Sequence, residues 1–376
     1  MFRHIKKELA DLFKRPDSPI VLILGLRQVG KSTLAQDLLG EAERVRFDFD
    51  LAGDRQEFLK QDRHALSQFA QRYQGRIIII DEVQKMPEAT SVIKHLYDTY
   101  HMKFLLTGSS ELKIRQQMGD SLVGRLHESR LYPLSLAEMN IQEGLTFDPS
   151  LEFNNYDENQ KLLRRCLVYG SLPQLSNIAI QAYKQYLDDF VNGLISKDVL
   201  EIAGTRKSSR IYLLAKLLAL QIGHLVNFNE LAANTEMARE SVHRYIDIFE
   251  QMGIVVKAKP ISTNEREAIS KKLKIYFTDL GVRNSLVGNF EEIDWRMDRG
   301  QLLENAVFIG IKRARTYAGI PTELGFFRSS IGTEIDIVEK AAGIERLYEV
   351  KMGNKKSRRK KGVEIISFET AQKYLY

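Results

Sequence analysis

The sequence predicts an α/β protein built on a parallel sheet, and three stretches predict it. In the first, the apolar run Ile20 to Leu24 leads into Gly25-Leu26-Arg27-Gln28-Val29-Gly30-Lys31-Ser32. Apolar residues then recur at helical spacing at Leu34, Ala35, Leu38 and Leu39. In the second, the isoleucines from Ile77 to Ile80 end in Asp81 and Glu82. In the third, Lys103 to Leu106 ends in Thr107-Gly108-Ser109-Ser110. Each is a short, continuously apolar strand finishing in polar residues. That is the texture of strands covered on both faces, with ligand-facing groups at their carboxyl ends.

The first stretch fits G-x-x-x-x-G-K-[ST] at every fixed position, in the order strand, loop, helix. Its glycines let the backbone wrap closely round a polyphosphate, and the amides from Gly25 to Thr33 point at it. Lys31 supplies a point charge to the β- and γ-phosphates, and Ser32 offers its hydroxyl to Mg²⁺. Asp81 ends the central strand where it can hold the same ion, with Glu82 placed to polarise an attacking water. Thr107 and Ser109, at the end of the third strand, are candidates to reach the γ-phosphate or that water.

At 376 residues the chain is long enough for two or three domains. An apolar content of 44% against 28% charged residues describes a core-forming protein rather than a disordered one. The single cysteine, Cys166, excludes an internal disulfide framework and CxxC-type zinc sites. The N-terminus MFRHIKKELADLFKR lacks the uncharged apolar core of a signal peptide, and no run reaches membrane-spanning length. A cytoplasmic protein without membrane partners is the expectation. The net charge of +6 permits nucleic-acid binding without requiring it.

Taken in order, residues 1–15 read as an amphipathic helix with Phe2, Ile5, Leu9, Leu12 and Phe13 inward and its arginines and lysines solvated. Val45 to Phe49 reads as a second strand, Arg55 to Tyr73 as helical, and Pro87 to Tyr100 as a further amphipathic helix. Residues 141–160 are polar and rich in turn formers, which predicts an irregular loop. Helical patterning resumes at Lys161 and again from Tyr183 to Ile202. From Ser208 three helices, around 211–222, 229–234 and 239–252, precede a hairpin of Ile254 to Lys259 with Lys274 to Phe277. That order resembles a winged helix. Its third helix would present Arg239, Ser241, His243 and Arg244 to DNA; a protein-docking winged helix is the alternative.

The last stretch carries a second chemical signal. Glu304 lies on a helix beginning at Gly300, Asp336 on an alternating strand, and Glu349 and Lys351 share one face of the next strand. Converging, they would hold a divalent metal and orient a water at a phosphodiester. The set resembles the PD-(D/E)XK nuclease core. It departs from that core after Lys351, where the basic run NKKSRRKKG stands in place of an amphipathic helix.

The motifs GLRQVGKST, IIIIDEVQKMP and LLTGSS, with GR followed by YPLSLAE, resemble a prokaryotic AAA-type ATPase family with a C-terminal domain of uncharacterised function. The match continues through YGSLP at 169–173, where relatives carry two glycines before the proline, and KIYFTDLG at 274–281. The resemblance implies ATP and Mg²⁺ as cofactors and an AAA-like core over 1–130. It further implies a helical lid over 131–206, with Arg125 as a charge-stabilising arginine for its own site or a neighbour's. The winged helix then covers 207–285 and the nuclease-like domain 286–376. The expected activity is ATP hydrolysis. Three purposes stay open: action on DNA, a signalling switch, or remodelling of an unidentified protein partner, with a homo-oligomer as a possible assembly. The retained Asp336, Glu349 and Lys351 favour DNA.

Overall fold

The computed structural model describes residues 2–38, 40–59, 62–108, 122, 124–144, 156–204, 208–261, 273–329, 334–353 and 362–375. The chain divides into two compact units, Met1–Tyr132 and Pro133–Tyr376.

The first unit is a parallel sheet with helices packed on it. Its strands are β1 (Ile20–Leu24), β2 (Arg44–Asp48), β3 (Ile77–Asp81), β4 (Lys103–Gly108) and β5 (Leu126–Arg130). They lie in the order β2-β3-β4-β1-β5, every neighbouring pair parallel. Strands β1 and β3 are buried at every residue, as their unbroken apolar texture requires. Helices α1 (Lys6–Phe13), α2 (Lys31–Asp37), α3 (Ala52–Leu59), α4 (Arg63–Arg72) and α5 (Ala89–Tyr100) supply the crossovers and covering layers. A cluster of aromatic rings, Phe47, Phe49, Phe58 and Phe69, packs edge-on beneath α3 and α4. The order puts β1, β3 and β4 together, so their carboxyl ends form one edge.

The second unit begins with α6 (Leu136–Gln142), opened by a capping box. Ser135 Oγ accepts the N–H of Glu138 at 3.0 Å, and the Glu138 carboxylate accepts that of Ser135 at 3.0 Å. Residues 145–155 of the expected loop lie outside the described residues. The helix α7 (Tyr156–Tyr169) starts earlier than its apolar pattern suggested, because Asp157 and Glu158 suit a first turn. Next come α8 (Tyr183–Gly193), α9 (Leu200–Ala203), α10 (Ser208–Leu220), α11 (Phe228–Thr235) and α12 (Arg239–Gln251). The hairpin β6 (Val255–Pro260) and β7 (Lys274–Phe277) follows, then α13 (Leu280–Val287) and α14 (Arg299–Tyr317). The chain closes with β8 (Thr322–Arg328), β9 (Glu334–Ala341), β10 (Ile344–Lys351) and β11 (Val363–Ser367).

These strands make one mixed sheet in the order β11-β10-β9-β8-β6-β7. Strands β8, β9 and β10 are antiparallel neighbours, whereas β11 runs parallel to β10, and β6 pairs with β8 through Lys259↔Gly325 and Pro260↔Phe326. The stretches 207–285 and 286–376, expected as separate domains, thus share a sheet. No described helix is long and apolar enough to cross a membrane.

Candidate functional site

At the end of β1 the chain turns out through Gly25, with φ +153°; a Cβ there would lie 2.3 Å from the carbonyl oxygen of Leu131. Only glycine leaves the strand so close to another backbone. The loop passes through left-handed conformations at Gln28 (φ 62°) and Gly30 (φ 91°), and α2 starts at Lys31. Lys31 is buried, and its Nζ donates to the carbonyls of Gly25 (2.9 Å) and Leu26 (3.0 Å). The ammonium therefore lies across the concave side of its own loop. Arg3, expected on a solvated face, is only 2% exposed and donates to the carbonyls of Val29 (3.4 Å) and Tyr132. A basic residue in an amphipathic helix gives no sequence sign of that inward turn.

Asp81, 2% exposed at the end of β3, is gripped from both neighbouring strands. Thr107 on β4 donates its hydroxyl to Oδ1 at 2.8 Å, and Arg46 on β2 donates Nε to Oδ2 at 2.7 Å. Arg46 also reaches Asp48 at 3.2 Å. The next residue, Glu82, adopts a left-handed conformation (φ 53°, ψ 46°), unusual for a non-glycine residue, and this turn redirects its carboxylate away from the strand line. Its backbone N–H meets Thr107 Oγ1 at 3.4 Å, and Gln84 donates its side-chain amide to the Glu82 carboxylate. Thr107, read as a phosphate or water contact, thus gives its hydroxyl proton to Asp81. Ser109 lies outside the described residues.

Arg125 falls at the opposite edge of the sheet from the glycine loop. It precedes β5, and its carbonyl accepts the N–H of Ile20, the first residue of β1. The glycine loop leaves from the other end of that strand, about 16 Å away at the usual rise per residue. Arg125 instead forms a two-pronged pair with Asp98 on α5, at 2.6 and 2.9 Å. In this structure its guanidinium is thus held at α5 rather than at the glycine loop. The GR motif gave its neighbours in sequence but not the edge of the sheet on which it falls.

In the second unit, two of the four expected DNA contacts also touch the rest of the unit, His243 half-buried and Arg244 exposed. His243 stacks on Phe228, ring centroids 3.9 Å apart, and Arg244 donates to the carbonyl of Ala203 at the end of α9. Arg239 is exposed and Ser241 half-buried. Near the last strands, Asp336 Oδ2 accepts the N–H of Val350 (2.8 Å) and Glu349 pairs with Lys351 (3.0 Å). Glu304 accepts from Lys274 Nζ (3.1 Å) and from the Tyr276 hydroxyl (2.6 Å). Of the expected set, Glu304 and Asp336 feel the charge of the Lys274 ammonium, while Glu349 is paired with Lys351. Among the described residues no group of three or more His, Cys, Asp or Glu side chains is arranged to hold a metal ion. Burial opposes the Lys274 charge, yet Glu304 and Glu334 outweigh it and hold its pKa above the ordinary lysine range. Burial also raises the pKa of Glu304 and of Asp336, against the pull of that ammonium. The one sequence sign of Lys274 was a lysine heading an otherwise apolar strand, KIYF.

A glycine loop after β1, with an Asp-Glu pair at the end of β3 on the same sheet edge, is the arrangement of a P-loop nucleotide-binding domain. In agreement, residues 17–140 match the family model of an AAA domain. Residues 160–293 and 299–375 match two further families, each described only as a domain of unknown function. An uncharacterised protein of Methanocaldococcus jannaschii is 25% identical over 334 residues, covering 81% of this chain and 70% of that one. One from Haemophilus influenzae is 24% identical over 349 residues, covering 88% and 81%. Among solved structures, the Walker-type ATPase of Pyrococcus abyssi is 18% identical, covers 76% of this chain and 95% of its own, and superposes with a TM-score of 0.47.

Proposed function

We propose that this chain hydrolyses ATP with Mg²⁺. The observation that carries the reading is the Asp81–Thr107 pair beside the turned-out Glu82, on the edge that also carries the glycine loop. The residues fit the groups they would hold. Gly25 and Gly30 allow a close backbone cradle, and Lys31 already faces oxygen acceptors it can exchange for phosphate. Ser32 and Asp81 would hold the metal, which supplies charge neutralisation between the β- and γ-phosphates. Glu82 orients the attacking water and takes its proton. Thr107 and Arg46 fix the Asp81 carboxylate from either side.

For the second unit, the reading is a winged helix over 207–285 followed by a nuclease-like domain over 286–376, with duplex DNA as the partner. It is supported by the order α10, α11, α12, then hairpin, by exposed Arg239 at the head of α12, and by the basic run at 354–361. The order α14, then three antiparallel strands and a parallel β11, agrees with the nuclease resemblance. A second reading, an ATP-driven switch or remodeller with an inert nuclease-like domain, is favoured by Lys274 inside the acid cluster. Phosphate release from ATP, measured with and without duplex DNA, tests both. Stimulation by DNA supports the first reading, and turnover indifferent to DNA supports the second. Absence of Mg²⁺-dependent turnover contradicts the ATPase itself.

A further inference from the structure

Lys274 is the most deeply buried lysine among the described residues, 1% exposed at the start of β7. Its Nζ lies 3.1 Å from Glu304 Oε1 on α14 and 2.8 Å from Glu334 Oε1 on β9. The ring of Phe326 on β8 lies beneath it, 5.3 Å to the centroid. Tyr276, two residues on and on the same face of β7, gives its hydroxyl to the same Glu304 oxygen at 2.6 Å. The remaining acids also have protein partners: Asp336 takes the Val350 N–H, and Glu349 takes Lys351 at 3.0 Å.

We propose that Lys274 is the resident cation of this cluster, standing in the place of the divalent metal that the nuclease resemblance implies, so that the second unit neither binds Mg²⁺ or Mn²⁺ there nor cuts a phosphodiester. The inference rests on the second reading above and deepens it. Mg²⁺ requires near-octahedral oxygen ligation at about 2.0–2.1 Å and keeps several of its waters. Glu304 Oε1 already receives two donors, an ammonium and a phenol, which leaves no room for a metal on that oxygen without ejecting both. An aromatic face under the cation suits an ammonium that burial has stripped of water, whose charge is attracted by the ring, and offers a hydrated divalent ion no ligand. The ammonium also does structural work that a diffusible ion would do only when bound. It ties β7, the second strand of the hairpin, to α14 and to the start of β9, so three sequence-distant segments share one charge.

Mn²⁺ binding, followed by the loss of the free-ion electron paramagnetic resonance signal, tests this on the full chain without nucleotide. The Lys31→Ala background removes the phosphate-loop contribution. In that background no stoichiometric Mn²⁺ is expected. Adding Lys274→Gln is expected to create one Mn²⁺ site per chain, and Asp336→Asn is expected to abolish it again. Stoichiometric Mn²⁺ in the Lys31→Ala protein that disappears with Asp336→Asn overturns the proposal, and this comparison stands even if the Lys274 variant fails to fold. A folded Lys274→Gln protein that gains no Mn²⁺ also overturns it, since the acids would then form no cage for a metal. Plasmid cleavage separates the two levels. Cutting that Asp336→Asn abolishes defeats the inert-domain reading itself, whereas Mn²⁺ bound without cutting defeats only the assignment of Lys274.

Discussion

Asp81 has one carboxylate oxygen turned to each neighbouring strand, with Thr107 on one side and Arg46 on the other. A carboxylate this buried is costly without a cation, and Arg46 supplies one from a partly exposed position. Arg46→Gln is expected to lower the stability of the nucleotide-free protein by about 2 kcal/mol, below the usual cost for a fully buried pair because the guanidinium is partly solvated. Mg²⁺ with nucleotide would bring back the missing positive charge, so ligand should raise the melting temperature of the variant more than that of the wild type. Equal ligand-induced shifts in thermal denaturation would argue against the role given to Arg46. The sequence made Lys31, Asp81 and Glu82 legible because each sits in a contiguous motif at a strand end. Arg46 was not legible, since in RVRFDFD nothing marks an arginine that reaches across to the next strand. Lys274 was hidden the same way: its partners lie 30 and 60 positions further along the chain.

At the scale of elements, the motifs YGSLP and KIYFTDLG meet to join α7 to α13. Asp279 caps α13 by accepting the Val282 N–H at 3.0 Å and also accepts that of Ser171 at 2.7 Å. Asn284, one turn on, donates to the carbonyls of Leu167 and Val168 at the end of α7. Gly170 lies against this carboxylate with φ +74°; a Cβ there would fall 2.1 Å from Asp279 Oδ1. Gly288, which follows α13, has φ +77° with nothing within 4 Å of its Cβ position. Gly288→Ala should therefore cost only backbone strain, about 1 kcal/mol, and Gly170→Ala about 3 kcal/mol or more in denaturant unfolding. Similar losses would mean that the contact with Asp279 yields freely. Burial pushes the Asp279 pKa from its ordinary 3.8 up to about 6. The folded unit therefore binds this proton more tightly than the unfolded chain does. Its contribution to stability is full below about pH 4 and falls by about 3 kcal/mol as pH rises through about 6. Asp279→Asn should flatten that part of the stability–pH profile, and an unchanged slope would remove the assignment. The sequence named these motifs through resemblance, but their role in joining helices depends on a contact between positions more than a hundred residues apart.

Across the whole molecule, the parallel sheet was legible because continuous apolar strands alternate with helical patterning. The sharing of one sheet by β6 and β8 was not, because two residue pairs make that junction and neither carries a pattern. The positive charge of the chain is likewise not spread evenly over the residues first expected to meet DNA. Arg239 and Arg244 are both exposed, but Arg244 already donates to the Ala203 carbonyl and His243 stacks on Phe228, which leaves Arg239 as the cation of that set whose charge is least committed within the second unit. Arg239→Glu should weaken duplex binding across sequences and reduce the slope of log affinity against log salt by about 1, as the loss of a phosphate contact does. An unchanged slope places the contact elsewhere, and wild-type protein without salt-dependent binding favours a protein partner.

The central claim is that the glycine loop and the Asp81-Glu82 turn form one hydrolytic site. Its most direct measurement is ATP binding and phosphate release, made side by side on Lys31→Ala and Glu82→Gln. Lys31 holds phosphate in the ground state, so its loss should abolish nucleotide binding. Glu82 acts on the water, so its loss should leave ATP affinity near wild type and slow turnover by roughly 100-fold or more. Equal loss of ATP affinity in both variants, or turnover that survives Glu82→Gln, would contradict the account.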